Sequence, residues 1–531
     1  MTNSEAKDGG HITRLDSWLQ SHSHVDEVSW SEWALVMILA AVLATTTVIH
    51  YLAVMFNWTA AGFSLDDSWI HLEYARSIYE GRPWEYSPGV PSTGSTSPLW
   101  SILLSSLFLL TSEPSHLILG VHFVSWLMYI GMTFLVGMIA LEHSQNLLVS
   151  GLSMTGFVIV PRNTWLTLSG MEYPLFGLIL VAAVWAAGRD GTIYDALLGV
   201  LWGLSYLARP EGAVIIAICV LVRFLIRILQ TPYRLHEIGL LFSKVPIALL
   251  IALPWILHCL NVTGHPLPDT FYVKVRPPDD IGVSAWNTWW LHWLTMHLFL
   301  SIGAIFGAYT LKKKRPFVWI AALSFILLYR FTMPYQALVN NARYLVPAFA
   351  LLMVAAVVGL SSTSYVLSRR LISSDILCHT ATLVLIAGLV IIPSLQGYQY
   401  QAQHFGNSVK NINEMQVEIG LWLRENTPPD AVIAITDAGA IRFFSERSII
   451  DIVGLVTPSI THGNMTYSET LRYLHNHGCE YLVLFERWYE VWAISIQDAS
   501  HRLHTVNLTD NVICAGSVMS VYWVNWSQTL Y

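Results

Sequence analysis

Apolar runs of membrane-spanning length dominate the first 395 residues, separated by short polar connections. Crossing a hydrocarbon core about 30 Å thick takes roughly 20 mostly apolar residues. The stretch from Ala34 to Phe56 meets that need. Further apolar segments lie at 116–141, 146–161, 172–188, 193–208, 211–230, 243–260, 288–311, 316–332, 344–362 and 378–395. The run PLWSILLSSLFLLT at 98–111 is too short to cross and predicts an interfacial or re-entrant helix.

Two other patterns interrupt this one. Between the first span and residue 98, Ile70, Tyr74 and Ile78 recur at four-residue spacing, with Asp66 and Asp67 before them and Gly81 and Pro83 after. That predicts a short amphipathic helix lying on the membrane surface, two carboxylates at its start and a stop at its end. After residue 395 the pattern predicts a helix at 412–425 ended by Pro428-Pro429, a strand at 431–436 and a short helix at 439–446. A strand at 448–454, a helix at 467–477 and strands at 481–485 and 518–524 follow. Helices alternating with apolar strands predict a compact α/β domain.

Composition sharpens the class. Of 531 residues, 54% are hydrophobic and only 12% charged, where a soluble globular surface needs about 25% charge. The mean hydropathy is +0.51. The chain reads as a polytopic α-helical membrane protein of about eleven spans with a C-terminal extracytoplasmic α/β domain. A net charge of −7 with no basic stripe excludes nucleic acid as a partner. Five cysteines without C-x-x-C or Cys/His ligand spacing argue against zinc or iron–sulfur centres. Cys479 and Cys514 could pair only in an oxidising compartment. The 22 tryptophans, several near predicted span ends, suit interfacial anchoring and membrane-lipid contact.

Basic residues set the orientation. Lys312-Lys313-Lys314-Arg315, the group Arg223, Arg227, Arg234 and Lys244, and the pair Arg369-Arg370 all fall on one side in this count. That side is cytoplasmic. The expected organisation is a cytoplasmic tail (1–33), a transmembrane domain (34–395) with an outer loop at 57–115, and an extracytoplasmic domain (396–531), in the plasma membrane.

The outer loop carries the candidate chemistry. Asp is a favoured N-cap whose charge the helix dipole stabilises, and capping accounts for one of the two acids. The dipole also keeps a carboxylate ionised, as a general base must be. His71, four residues after Asp67, faces the same way; with Asp66 and Asp67 it would accommodate a divalent cation, although such a triad is more often just polar surface. Arg209, Lys274, Arg276 and Arg343 map to the outer face or outer span ends. Guanidinium forks match phosphate geometry. The competing reading for Arg209 and Arg343 is snorkelling, or pairing with Glu211 and Glu172. Glu172 in Gly-Met-Glu-Tyr caps a helix, tunes Arg209 or binds acceptor hydroxyls. A transporter or flippase for a lipid-linked saccharide is the alternative class, disfavoured because the acid pair lies in a long outer loop and no inverted repeat is visible.

The run DDSWIHLEYARSIYEG…SPGVPSTGSTSPLW resembles the first outer loop of the GT-C glycosyltransferases, nearest to bacterial terminal arabinofuranosyltransferases. The islands SGMEYPLF (169–176), ARPEG (208–212), PLPDTFYVK (266–274) and ARYLVP (342–347) are similar in the same order. The tail segment WLRENTPPDAVIAITDAGAIRFFSERSIIDIVGL (422–455) is similar too. The resemblance implies an inverting glycosyltransferase that moves a hexosyl or pentosyl unit from a polyprenyl-phosphate donor to a glycan, lipid or protein acceptor. It implies that Asp66 or Asp67 is the base, with Asp66 preferred as the first acid after the first span. Glu172, Arg209, Glu211, Asp269, Tyr272, Lys274, Arg343 and Tyr344 fall in islands expected to bind substrate. No cofactor is required by that chemistry.

Overall fold

The computed structural model describes residues 28–230, 234–275, 279–296, 298–311, 316–372, 374–395, 397–486 and 499–528. Arg276, the cluster at 312–315 and most of the N-terminal tail lie outside them.

Helix α1 (Trp30–Phe56) opens on a capping box between Ser29 and Glu32, which satisfies donors that a helix start leaves unpaired. The bundle continues through α2 (Asp67–Tyr79), α3 (Pro98–Ser105), α4 (Pro114–Ser144), α5 (Leu147–Ile159), α6 (Pro161–Thr167), α7 (Tyr173–Ala187) and α8 (Thr192–Ala208). Then come α9 (Pro210–Gln230), α10 (Arg234–Thr263), α11 (Asp269–Lys274), α12 (Asp280–Met296), α13 (Leu298–Leu311), α14 (Pro316–Thr332), α15 (Val346–Leu371) and α16 (Asp375–Leu395). Each of the eleven apolar segments is helical, but only five helices among the described residues have full spanning length and hydropathy. One expected span, 288–311, is instead two helices meeting at 92°. Its first half is α12, whose four tryptophans, Trp286, Trp289, Trp290 and Trp293, suit an interface better than a hydrocarbon core. The segment at 98–111 forms α3 and a 3-10 turn (Ser106–Leu109), roughly 18 Å in all, too short to cross.

Small residues bring helices into close contact, as lipid-embedded packing favours. A Cβ on Gly359 of α15 would lie 2.0 Å from the Gly303 carbonyl oxygen of α13. No larger residue fits that crossing.

The tail begins with α17 (Tyr398–Ile412), earlier than expected, continuing through a π turn into α18 (Glu418–Asn426). Strands β3 (Val432–Ile435), β4 (Ser448–Asp451), β5 (Cys479–Phe485), β6 (Ser500–Asn507) and β7 (Val518–Val524) form one sheet in the order β4-β3-β5-β7-β6; β1 (Glu85–Ser87) and β2 (Val90–Pro91) form a small hairpin in the outer loop. Strand β3 runs parallel to β4 and β5, and the remaining pairs are antiparallel. The connecting helices are α19 (Ala440–Ser445), α20 (Pro458–His462) and α21 (Tyr467–Asn476). Strand β6 escaped the sequence reading because it is a mostly exposed edge, SHRLHTVN, with no apolar alternation. Cys479 and Cys514 are both free thiols, so the pairing considered from sequence is not formed.

The outer-loop helix does not lie on the membrane surface. It is sandwiched. Trp69, Leu72 and Ala75 of α2 join the bundle core. Ile70 and Tyr74, with Tyr86 of the hairpin, join the core of the tail domain beside Ile433, Ile435 and Val483. The spacing at Ile70 and Tyr74 thus marks a protein interface rather than a lipid one.

Candidate active site

The two adjacent aspartates part company at the start of α2. Asp66 occupies the N-cap position, yet its side chain makes no bond to its own helix. Its Oδ2 accepts from the Gly439 N–H and its Oδ1 from the Ala440 N–H, each at 2.8 Å. Both oxygens therefore grip the loop ahead of α19 in the tail domain. That grip needs glycine: a Cβ on Gly439 would sit 2.0 Å from the Asp66 carbonyl oxygen.

Burial pushes the Asp66 carboxyl well up, and nearby Asp437 adds to the rise against the pull of the two N–H donors. Burial likewise raises Asp437 to about 6, although the Gln416 amide donates to its Oδ2 at 2.8 Å. Two buried carboxyls this close resist ionising together.

Asp67 turns the other way. Arg343 donates to its Oδ2 from both terminal guanidinium nitrogens at 3.2 Å, and Lys274 Nζ approaches the same oxygen at 3.6 Å. Burial pushes the Asp67 carboxyl up, but Lys274 and Arg343 overcome it and hold the group at about 2. The side chain keeps 28% exposure, so it lines an open crevice. Its Oδ1 makes no hydrogen bond among the described residues.

Arg343 is delivered by unusual backbone. Asn340, Asn341 and Ala342 have φ of 52°, 63° and 52°. Asparagine tolerates the left-handed region, but alanine there costs on the order of 1 kcal/mol. Such strain persists where surrounding structure fixes a functional side chain. Arg343 Nη2 also donates to the Tyr344 hydroxyl at 3.3 Å.

Behind this pair lies a fully packed charge network. Arg209 Nε donates to Glu211 Oε1 at 2.6 Å, and its Nη1 donates to Glu172 Oε1 and, at 3.2 Å, to the Tyr173 hydroxyl. Its guanidinium lies 4.4 Å from the Tyr344 ring centroid, and the Tyr329 hydroxyl donates to Glu211 at 2.6 Å. His71 Nε2 lies 3.2 Å from Glu172 Oε2. Arg209 is thus saturated by two acids, the pairing that the sequence offered as its competing role. His71 turns that nitrogen toward Glu172, away from a shared cation with Asp66 and Asp67. Among the described residues, no group of three or more His, Cys, Asp or Glu side chains is arranged for a metal.

Asp269 and Tyr272 lie apart from the Asp67 cluster. Asp269 is fully buried, and His462 of α20 meets its Oδ1 at 2.9 Å. Rings of His265 and His462 stack at 4.4 Å, with Tyr272 against both. These contacts tie α11, which carries Lys274, to the tail domain. Sequence reading missed Gly439, Asp437 and His462; the first two sit in the quoted ITDAGAI run, but nothing local names their partners.

Comparison with known proteins bears on the fold. A family model described as a domain of unknown function (DUF8728) matches residues 410–522. A search of curated proteins gives no match. Among solved structures, ArnT from Cupriavidus metallidurans in the apo state superposes with a TM-score of 0.57 at 13% identity, covering 91% of this chain and 98% of that one. The same protein bound to undecaprenyl phosphate gives 0.56 at 11% identity, covering 93% and 98%. Arabinofuranosyltransferase AftD from mycobacteria gives 0.50 at 13% identity, over 94% of this chain and 40% of that one. The chain has the fold of the GT-C glycosyltransferases. It is a multi-pass membrane protein whose bundle and C-terminal sheet region together match that architecture.

Proposed function

We propose that the protein is an inverting glycosyltransferase that moves a sugar from a polyprenyl-phosphate-linked donor to an extracytoplasmic glycan, lipid or protein acceptor. The observation that carries this reading is one crevice carboxylate, Asp67, held by two cations through a single oxygen. Undecaprenyl phosphate bound to ArnT supports a lipid phosphate as the partner of those cations.

In this mechanism Asp67 Oδ1 takes the proton of the acceptor hydroxyl. The hydroxyl oxygen bonds to the anomeric carbon from the face opposite the phosphate, the carbon–oxygen bond to phosphate breaks, and the lipid phosphate leaves with the electron pair. Lys274 and Arg343 hold that anion. Resting Asp67 is a poor base because the same two cations depress it. Donor phosphate competes for them, which restores proton affinity to the carboxylate when a donor is present. What supports Asp67 over Asp66 is occupancy: both oxygens of Asp66 already accept backbone N–H groups. Asp66 becomes a positioning residue.

The basic group Arg223, Arg227 and Lys244 converges on Asp195 at the start of α8, whereas Arg209 follows the end of α8 near the crevice. With the basic end cytoplasmic, the crevice and tail face outside the plasma membrane. Membranes carrying the protein, supplied with radiolabelled polyprenyl-phosphoryl sugars, test the reading. Transfer that Asp67→Asn abolishes supports it, and transfer undiminished by that change rules it out.

A further inference from the structure

Another cation lies away from the crevice without a carboxylate partner among the described residues. Arg162, at the start of α6, spreads its guanidinium over Trp289 and Phe349, each ring centroid 5.4 Å away. Its Nη1 is buried without a hydrogen-bond partner, and so is Oδ1 of the adjacent Asn163, itself 2% exposed. No acid among the described residues offsets the charge. Leaving a guanidinium nitrogen unpaired in apolar surroundings is costly.

Arg162 and Asn163 head a cleft between α5, α6, α12, α13 and α15, lined below them by Phe157, Val160, Leu300, Leu352, Met353 and Ala356. Along α15 the lining descends one turn at a time from Phe349 through Leu352 and Met353 to Ala356, so the polar end sits at the outer end of the helix. Leu294, Leu298 and Phe299, on the α12 and α13 stretches beside it, are exposed as lipid-facing residues are. The cleft therefore combines an apolar channel of acyl-chain character with one positive charge at headgroup depth.

We propose that this cleft binds a monoanionic glycerophospholipid of the outer leaflet, one acyl chain in the channel and its phosphodiester on Arg162. Charge narrows the occupants. This cleft presents one cation, matching the single charge of a phosphodiester, whereas the crevice at Asp67 presents two to a departing monoester phosphate; a polyprenyl-phosphoryl sugar, also a diester, is set against the glycerophospholipid in the test. The ligand is taken from the membrane side, and no contact links Arg162 with Asp67, Lys274 or Arg343 among the described residues. The site stands whether or not the crevice transfers sugar.

Native mass spectrometry of the purified full chain in detergent tests this, with phosphatidylglycerol as probe. Wild type retains it; Arg162→Gln weakens retention at least about tenfold; Arg162→Lys keeps most of it; Arg343→Ala leaves it unchanged. Diacylglycerol, which lacks the phosphate, is retained by none. Should Arg162→Gln fail to fold, Leu352→Trp fills the channel while keeping the charge and produces the same loss. Equal retention of phosphatidylglycerol by wild type, Arg162→Gln and Leu352→Trp overturns the proposal. So does equal binding of diacylglycerol, displacement by inorganic phosphate alone, or preference for decaprenyl phosphate or a decaprenyl-phosphoryl sugar at matched concentration.

Discussion

Asp66 and Asp67 are consecutive residues that serve opposite partners. Asp66 clasps the Gly439 and Ala440 amides of the tail domain, while Asp67 meets Arg343 and Lys274 of the bundle. The start of α2 is thus the point where both halves of the protein are read by one backbone turn. A substitution at one position is expected to damage chemistry and at the other to damage assembly.

Asp67→Asn keeps shape and removes the proposed base. The variant is expected to fold, to retain donor lipid and to lose roughly 10²–10⁴-fold in transfer rate. Asp66→Asn trades an acceptor oxygen for an amide NH2 that faces a backbone N–H. It is expected to lose about 1–3 kcal/mol of stability, read as a lower melting temperature, with rate falling only as far as folding does. If Asp66→Asn folds as well as wild type yet is the slower enzyme, the assignment of the base reverses.

Arg209 and Arg343 separate in the same way. Arg343→Ala is expected to weaken donor binding by about 2–3 kcal/mol through the lost charge-assisted contact. Arg209→Ala strands Glu172 and Glu211 without their counter-charge, a loss of about 3–5 kcal/mol of stability. Thermal unfolding of the two variants side by side distinguishes them. A stable Arg209→Ala with weakened donor use returns Arg209 to the phosphate cradle.

Gly439→Ala forces a methyl into the Asp66 backbone. Loss of about 1–3 kcal/mol is expected from such overpacking, together with faster proteolysis in the tail. A variant as protease-resistant as wild type would show that the tail does not dock through this contact.

The carboxyl pair at the junction makes docking depend on pH. Asp437 is raised in the folded protein to about 6 from an ordinary value near 3.8, so the folded state keeps a proton that the unfolded chain releases. Its stabilisation is complete below about pH 4 and is lost as pH rises through about 6. Asp67, depressed to about 2, acts with the opposite sign, its contribution disappearing only as pH falls below about 4. Melting temperature followed from pH 4 to pH 7 should decline in wild type and decline less steeply in Asp437→Asn, where Asp66 and Asp451 remain raised by burial. Equal slopes would remove the pair from the account.

Periodicity made most elements legible. Apolar runs located the bundle helices, and Pro428-Pro429 with AVIAIT located the turn into β3. The orientation of α2 was not legible, because Ile70, Tyr74 and Ile78 form the same stripe whether it meets lipid or a folded domain. The roles within the acid pair were hidden for a related reason. Capping preferences describe a residue's own helix, while Asp66 bonds to amides that follow it by 373 and 374 positions. Arg343 and Lys274 stood out as cations near the outer face, but only the fold puts both on one oxygen. Arg162 gave no signal, since a lone arginine after Pro161 reads as a loop residue.

The shared core of α2, the hairpin and the sheet also sets an order of events during synthesis. Tyr86 donates to the Ala438 carbonyl across 352 positions of chain, so this loop is made long before its partner strands exist. Closing a contact of that separation is an entropic search that local helices do not face. Until β3 and β5 arrive, the apolar side of α2 that carries Ile70 and Tyr74 is bare, a surface for chaperones or misassembly. The proposed sugar transfer would consequently be a late property of the nascent protein, acquired when the last-made strands close over the first-made loop.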